Sequence, residues 1–168
     1  DHLELMAANP ALVVVTISPF GQDGPKANWA ASDLTVWASG GSLAISGDPD
    51  RAPVQVSVPQ AYFHASATAA GGALFALVER ARSGLGQHVD VSAQVATMVA
   101  TQSAVLCAAA RASGVSRSGG GIKGGDIFLR FVYPASDGHV SITHVFGMPI
   151  GQNTARLMAW VCEEGFCD

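Results

Sequence analysis

LVVVTIS, residues Leu12 to Ser18, is a continuous apolar run rich in β-branched side chains, with Asn9-Pro10 before it and the turn-rich PFGQDGP, Pro19 to Pro25, after it. A run of that length between turn residues reads as a buried strand of a parallel sheet. The loop that follows then lies at the strand's C-terminal end, where open α/β sheets hold their ligands. Phe20, Gly21 and Gln22 are candidate binding residues on that ground. Backbone N–H groups and the Gln22 amide would face an anionic or amide-rich ligand. Taken alone, FGQDGP reads more simply as a plain surface turn.

Outward from the strand, Asp33 opens a helical pattern with Leu34, Val36 and Trp37, and Ser46-Gly47-Asp48-Pro49 closes it as a turn. PVQVSV, Pro53 to Val58, alternates as a brief strand or extended segment, and Pro59 suits a first helical turn. The helix expected from Ala61 to Arg82 carries a block of small residues, Ala65 to Ala73. Its glycines cost roughly 1 kcal/mol each against alanine. A close neighbour, expected to be another helix, would offset that cost. Ser83-Gly84-Leu85-Gly86 ends the helix, Gln87 to Val91 reads as a strand, and Ser92 is placed to N-cap a helix running to about Arg111.

SGVSRSGGGIKGGD then reads as a mobile, irregular loop. Phe128 to Tyr133 and His139 to His144 read as two strands around a turn, and Gln152 to Glu164 as a helix. The order strand, helix, strand, helix makes an α/β layer with α+β material appended. The boundaries expected are 1–115 for the α/β part, 116–126 for the glycine-rich loop and 127–168 for the start of a smaller α+β domain.

Composition excludes several classes. An apolar content of 49% supplies a buried core, so disorder is not expected. Charged residues amount to only 13%, the net charge is -4, and no Lys/Arg run offers a footprint for nucleic acid. Ala52 to Val78 carries no charge, nor does Val91 to Ala110. Both are built from Ala, Ser, Thr, Gln and Gly, which favours buried helices over a membrane hairpin. Three cysteines without CxxC spacing indicate neither a disulfide framework nor a structural zinc site, and fit a reducing, cytoplasmic setting. The absence of an initiator Met and of an evident tail reads as a piece of a longer protein.

Chemical motifs are sparse. GxSxG fails at Gly40-Gly41-Ser42-Leu43-Ala44, and neither GxGxxG nor a P-loop occurs. His139 and His144 have odd spacing on one expected strand, which puts them on opposite faces and argues against a shared metal. The run Gly119, Gly120, Gly121 with Lys123 suits either a linker or a loop closing over substrate.

Three stretches together carry a resemblance: NPALVVVTISPFGQDGP, SDLTVWASGGSLAISGDPDRAPVQVSVPQA and GALFALVERARSGLGQHVDVS. They resemble the family III CoA-transferases, which include crotonobetainyl-CoA:carnitine CoA-transferases, formyl-CoA transferases and α-methylacyl-CoA racemases. The resemblance implies a Rossmann-like large domain followed by a small domain, in an interlocked homodimer or a tandem pseudo-dimer. It implies CoA thioesters and carboxylic acids as substrates, with no tightly bound cofactor, metal or nucleic acid. CoA would run along the crevice at Phe20, Gly21 and Gln22, under a glycine loop at Gly119, Gly120 and Gly121.

The family's chemistry needs an aspartate that attacks the acyl-CoA thioester. Its pattern VPxAD is Val58-Pro59-Gln60-Ala61-Tyr62 here, so tyrosine stands at the nucleophile position. A phenol is largely protonated at neutral pH and a weak nucleophile. His64 is the replacement to consider, although on a regular helix it points about 200° away from Tyr62. Asp33 stands where the racemase branch has an aspartate preceded by histidine. Here the pair is Ser32-Asp33, and Asp33 reads more simply as a helix N-cap. Three functions follow as expectations: a CoA-transferase, a non-catalytic half of a tandem one, and an α-proton isomerase using Asp33 and His64.

Overall fold

The structure is a computed structural model that describes residues 2–110, 116–124, 126–144, 147–148 and 151–167. It divides into two units, Asp1–Arg117 and Ser118–Asp168. The expected α/β class holds.

In the first unit, helix α1 (His2–Ala8) precedes strand β1 (Val14–Ser18). Helix α2 (Asp33–Ser39), a 3-10 turn (Ser42–Ile45) and the 23-residue helix α3 (Ala61–Ser83) lead to β2 (His88–Ser92). β1 and β2 pair in parallel from Val14↔His88 to Ser18↔Ser92, so their C-terminal ends are level. The strand LVVVTIS is parallel, as its β-branched run predicts, but it is not fully buried: Val15 is 37% exposed and Ile17 43%. Val15 and Ile17 pair with Val89 and Val91 and share their sheet face; the core holds Val91 with Val89 packed against it and leaves Val15 and Ile17 exposed at its edge. PVQVSV forms no strand.

Helix α3 organises the core. Ala61, Ala65, Ala69 and Ala76 are its buried residues, and the first three pack with Val36 and Trp37 of α2, Val91 of β2 and Ala93 and Ala96 of the next helix. Alanine at these spacings lets backbones approach closely. The tight contact at Gly72 is to a strand rather than a helix, since a Cβ there would lie 2.7 Å from Val89 Cγ1. The close helix approach is at Gly40, where a Cβ would meet Thr97 Oγ1 of the following helix.

Among the described residues α3 is the one helix long and apolar enough to cross a membrane, by length and composition alone. It ends at Gly84, in the left-handed conformation at φ 78°, with its amide on Arg80 O. Ser92 closes β2 and N-caps α4 (Ala93–Ala100) through its hydroxyl, as expected. The expected single helix to Arg111 instead breaks at Thr101 into α4 and α5 (Gln102–Ala109), each of eight residues. Each is about 12 Å long, far short of a hydrocarbon core of roughly 30 Å.

The glycine-rich stretch is more ordered than its composition implies. Arg117 donates to three carbonyls, Ala44 in the 3-10 turn and Asp48 and Arg51 in the loop after it, at 2.9 to 3.1 Å. In the second unit Gly121–Gly124 forms strand β3, antiparallel to β4 (Ile127–Arg130). Residues 113–115 and 125 of the stretch lie outside the described residues. β5 (Val132–Ala135) pairs with β6 (Gly138–Ser141) around the expected turn. The single strand expected over Phe128 to Tyr133 changes partners at Phe131. Its amide donates to Gly120 O at 2.7 Å and its carbonyl accepts from Ile142 N at 2.8 Å.

His144 falls beyond β6, where Tyr133 Oη and its Nε2 are 3.2 Å apart. Helix α6 (Gly151–Glu163) follows. Against the expectation of no disulfide, Cys162 is bonded to Cys167. The reason is local: the helix end folds back with Gly165 at φ 79° and Phe166 N on Val161 O, bringing the two Cα atoms to 4.9 Å.

Candidate active site

The expected binding loop and the expected nucleophile position both belong to the first unit, and each is built by a different device. At the C-terminal end of β1, the loop turns at Gly21, buried and at φ 94°, a conformation that L side chains rarely adopt. Its amide donates to Ser18 Oγ at 3.0 Å, and the Gln22 amide donates to Asp90 Oδ2 at 2.9 Å. These two N–H groups are therefore engaged by the protein itself. What the loop presents instead is side chains: the Phe20 ring edge-on to Trp29 at 6.2 Å, and Lys26 Nζ 5.7 Å and 5.5 Å from those two ring centroids.

Asp90 is the residue that sequence reasoning missed. Its other oxygen accepts from Thr16 Oγ1 at 3.1 Å, and Thr16 Oγ1 also lies 2.9 Å from His88 Nε2. The signal was present in the alternation of VVTIS and HVDVS, which puts Thr16, His88 and Asp90 on one sheet face. Asp90→Ala is expected to speed hydrogen exchange at the Gln22 amide about tenfold, by removing its one charged acceptor. An unchanged exchange rate would show that the loop holds its shape without this carboxylate.

Helix α3 starts without a cap of its own, since Gln60 makes no side-chain capping bond. Asp33 supplies one from α2: its Oδ1 accepts from Ala61 N at 2.8 Å and its Oδ2 from Gln60 N at 3.2 Å. The expectation that Asp33 N-caps its own helix is corrected. Ser32 does that in a capping box with Thr35, which leaves Asp33 in the first turn, free to reach across.

Tyr62 and His64 then separate as helical geometry predicts. Tyr62, 38% exposed, lines a cleft of about 280 Å³ with Val58, Pro59, Phe63 and Ser66. His64 stacks on Trp37, with ring centroids 5.7 Å apart and planes at 29°. Trp37 is buried and its Nε1 has no hydrogen-bond partner among the described residues. The structure thus joins Asp33 to the start of α3 and His64 to Trp37, and does not bring His64 into the cleft of Tyr62.

In the second unit, Gly119 and Gly120 adopt left-handed φ values of 53° and 42°, and Gly121 sits in β3 with no room for a Cβ against Leu129 O. Gly119 and Gly120 border a cleft of about 390 Å³ with Arg130 and His139. No group of three or more His, Cys, Asp or Glu side chains that could hold a metal occurs among the described residues.

A parallel strand pair with a loop at its C-terminal edge and a small-residue helix packed on it defines an α/β arrangement, followed in the chain by a unit of antiparallel hairpins. The chain belongs to CoA-transferase family III, whose family model matches residues 1–160. It is 35% identical over 147 residues to the succinyl-CoA:(R)-benzylsuccinate CoA-transferase subunit BbsE of Thauera aromatica, covering 88% of this chain and 35% of that one. It is 44% identical over 88 residues to the succinyl-CoA–D-citramalate CoA-transferase of Chloroflexus aurantiacus, covering 52% and 22%. A solved CAIB/BAIF family protein from Brucella suis superposes with a TM-score of 0.73 at 28% identity, covering 83% of this chain and 36% of the other. The chain spans about a third or less of the length of these relatives.

Proposed function

We propose that the protein acts in the transfer of CoA between carboxylic acids, as the member of the assembly that binds and shapes the site without supplying the carboxylate nucleophile. The observation that carries this reading is Tyr62. It lines the cleft at the position where the family pattern has aspartate, and among the described residues the carboxylate that reaches the start of α3, Asp33, already accepts two backbone amides. CoA is expected along Phe20, Gly21 and Gln22, with Lys26 beside them. The acid pair is expected to include a short dicarboxylate, because similar proteins are named for succinyl-CoA with benzylsuccinate or citramalate, and for succinate with glutarate.

A nucleophile-bearing second chain, or a second copy within one chain, completes the reaction. Two things support it. The Thauera relative is named as a subunit, and α3 exposes Phe63, Leu74, Phe75 and Val78. The isomerase reading has less support, since Asp33 is engaged with α3 and His64 is stacked on Trp37.

The test is CoA exchange between succinyl-CoA and glutarate by the full-length protein, with borohydride trapping and peptide mapping over Ser57 to Ser66. Alone, the protein is expected to give neither exchange nor an adduct there. Co-expressed with a family member that carries aspartate at the nucleophile position, it is expected to give exchange. Tyr62→Asp is expected to create a trappable adduct on that segment. Exchange by the unpaired wild-type chain, with an adduct mapped to this segment, would overturn the division of labour.

A further inference from the structure

In the second unit, helix α6 runs out into CEEGFC, Cys162 to Cys167. Its end closes as a Schellman motif. Gly165 takes the left-handed conformation at φ 79°, Phe166 N donates to Val161 O at 3.1 Å, and Gly165 N donates to Cys162 O at 2.9 Å. Glu164 N donates to Trp160 O at 3.0 Å. These backbone bonds turn the chain back on the helix and set the two cysteine Cα atoms 4.9 Å apart, within the span that a disulfide bridges. None of them passes through sulfur. Reduction of the S–S bond therefore leaves the turn in place and the two thiols within reach of each other.

Two features set this bond apart from a structural staple. Its cysteines are only five positions apart, and the stabilisation gained by tying the unfolded chain grows with the length of the loop closed. The bond thus adds little to a turn that the backbone already holds. Cys162 is also exposed and Cys167 half-buried, so a small thiol reaches the bond from the Cys162 side. Exposed disulfides belong to the labile class.

We propose that Cys162 and Cys167 form a reversible dithiol–disulfide couple, a modification site that exchanges with low-molecular-weight thiols of the glutathione class. The thiolate of one small thiol attacks Cys162 Sγ, the S–S bond breaks, and Cys167 leaves as a thiolate that takes up a proton. A second small thiol attacks the sulfur of the first, forms the small-molecule disulfide and releases Cys162, which is protonated in turn. The protein gains two electrons and two protons while two small thiols are oxidised to one disulfide. In the reverse direction Cys167 displaces the small thiol from a mixed disulfide on Cys162, favoured by the high effective concentration that the turn provides. Oxidation pins the chain leaving α6 to the helix; reduction leaves it held by backbone bonds alone. The couple does not depend on the transferase reading.

The experiment equilibrates the full-length protein with reduced and oxidised glutathione at a series of ratios, quenches with acid, alkylates, and measures the tryptic peptide that starts at Leu157 by mass spectrometry. No Lys or Arg lies between Leu157 and Asp168, so both cysteines fall in that peptide. Cys107, the free cysteine of α5, falls in another and reports complete alkylation. The peptide is expected to pass in both directions between an unlabelled disulfide and a doubly alkylated form. Double alkylation at every ratio would overturn the proposal, and so would a disulfide that persists in excess reduced glutathione. Glutathione on one cysteine and the alkyl group on the other, as the main species, would mark two independent thiols and also sink it. Cys167→Ser is expected to raise glutathione retained on Cys162 about tenfold, by removing the thiol that displaces it. Gly165→Ala, which strains the left-handed turn, is expected to lower the ratio of disulfide to mixed disulfide about tenfold. An unchanged ratio there would show that the turn does not bring the thiols together, and the proposal fails.

Discussion

Alanine in place of Asp33 is expected to lower the unfolding free energy by about 2 kcal/mol, within the roughly 1–3 kcal/mol that attends loss of a charged acceptor from part-buried amides. The carboxylate accepts from Gln60 N and Ala61 N, both at the first turn of α3. The N-cap residue of that helix makes no side-chain bond, so nothing local replaces it. A negative charge at a helix N-terminus adds about 0.3–1 kcal/mol through the macrodipole. Asparagine keeps one acceptor oxygen and loses the charge, and is expected to cost about half as much. The damage should concentrate where α3 begins, at Tyr62 and at the stacking of His64 on Trp37. Urea denaturation read by tryptophan fluorescence reports both quantities. A midpoint for Asp33→Ala equal to that of the wild type would show that the start of α3 does not depend on α2.

Gly86→Ala is expected to cost more, about 3 kcal/mol or above, because overpacking against groups that cannot rotate away is met by backbone displacement. A Cβ at Gly86 would fall 2.7 Å from Ala11 C, with Leu12 C and the Leu12 carbonyl oxygen closer still. All three are backbone atoms of the segment entering β1. The Gly86 amide also donates to Pro10 O at 2.8 Å, and Val14 N donates to Gln87 O at 3.0 Å, which aligns the two strands from their first residues. Alanine would push these segments apart and unpair the parallel ladder from that end.

Gly84→Ala, two residues earlier, is the control. Gly84 has a left-handed φ of 78° and open space around it, so alanine there costs only the backbone term, roughly 1–2 kcal/mol. Equal losses at the two positions would show that the contact with Leu12 gives way easily. Hydrogen exchange at Val14 should rise in Gly86→Ala and stay low in Gly84→Ala.

Much of this was written in local patterns. β-branched runs bounded by turn residues mark the two parallel strands, and Gly84 marks the end of α3. Ser92 marks the start of α4 by an oxygen two to three residues before the amide it serves. Other elements were misread because their cause is not local. The glycines at 119–121 read as a loop, yet Gly121 sits in a strand where Leu129 and Phe128 leave no room for a Cβ, and Gly120 is close against Val132. The strand over Phe128 to Tyr133 reads as continuous, yet it hands its pairing from β3 to β6 at Phe131. Asp90 reads as one polar residue on a strand, until Thr16 and the Gln22 amide stand beside it.

What the sequence by itself determined is the α/β class, the parallel strand run, the extent of α3 and the membership in CoA-transferase family III. Each rests on periodicity, caps and residue order, which act within a few positions of the chain. It also determined that Tyr62 and His64 point away from each other on α3, since 3.6 residues per turn sets that angle. Only the tertiary structure decided that Asp33 is committed to capping α3, that Asp90 holds the loop after β1, and that Arg130 and His139 border one cleft. Those roles depend on which donor or acceptor stands opposite in space, and residues 27 to 68 positions apart meet only when the chain has folded.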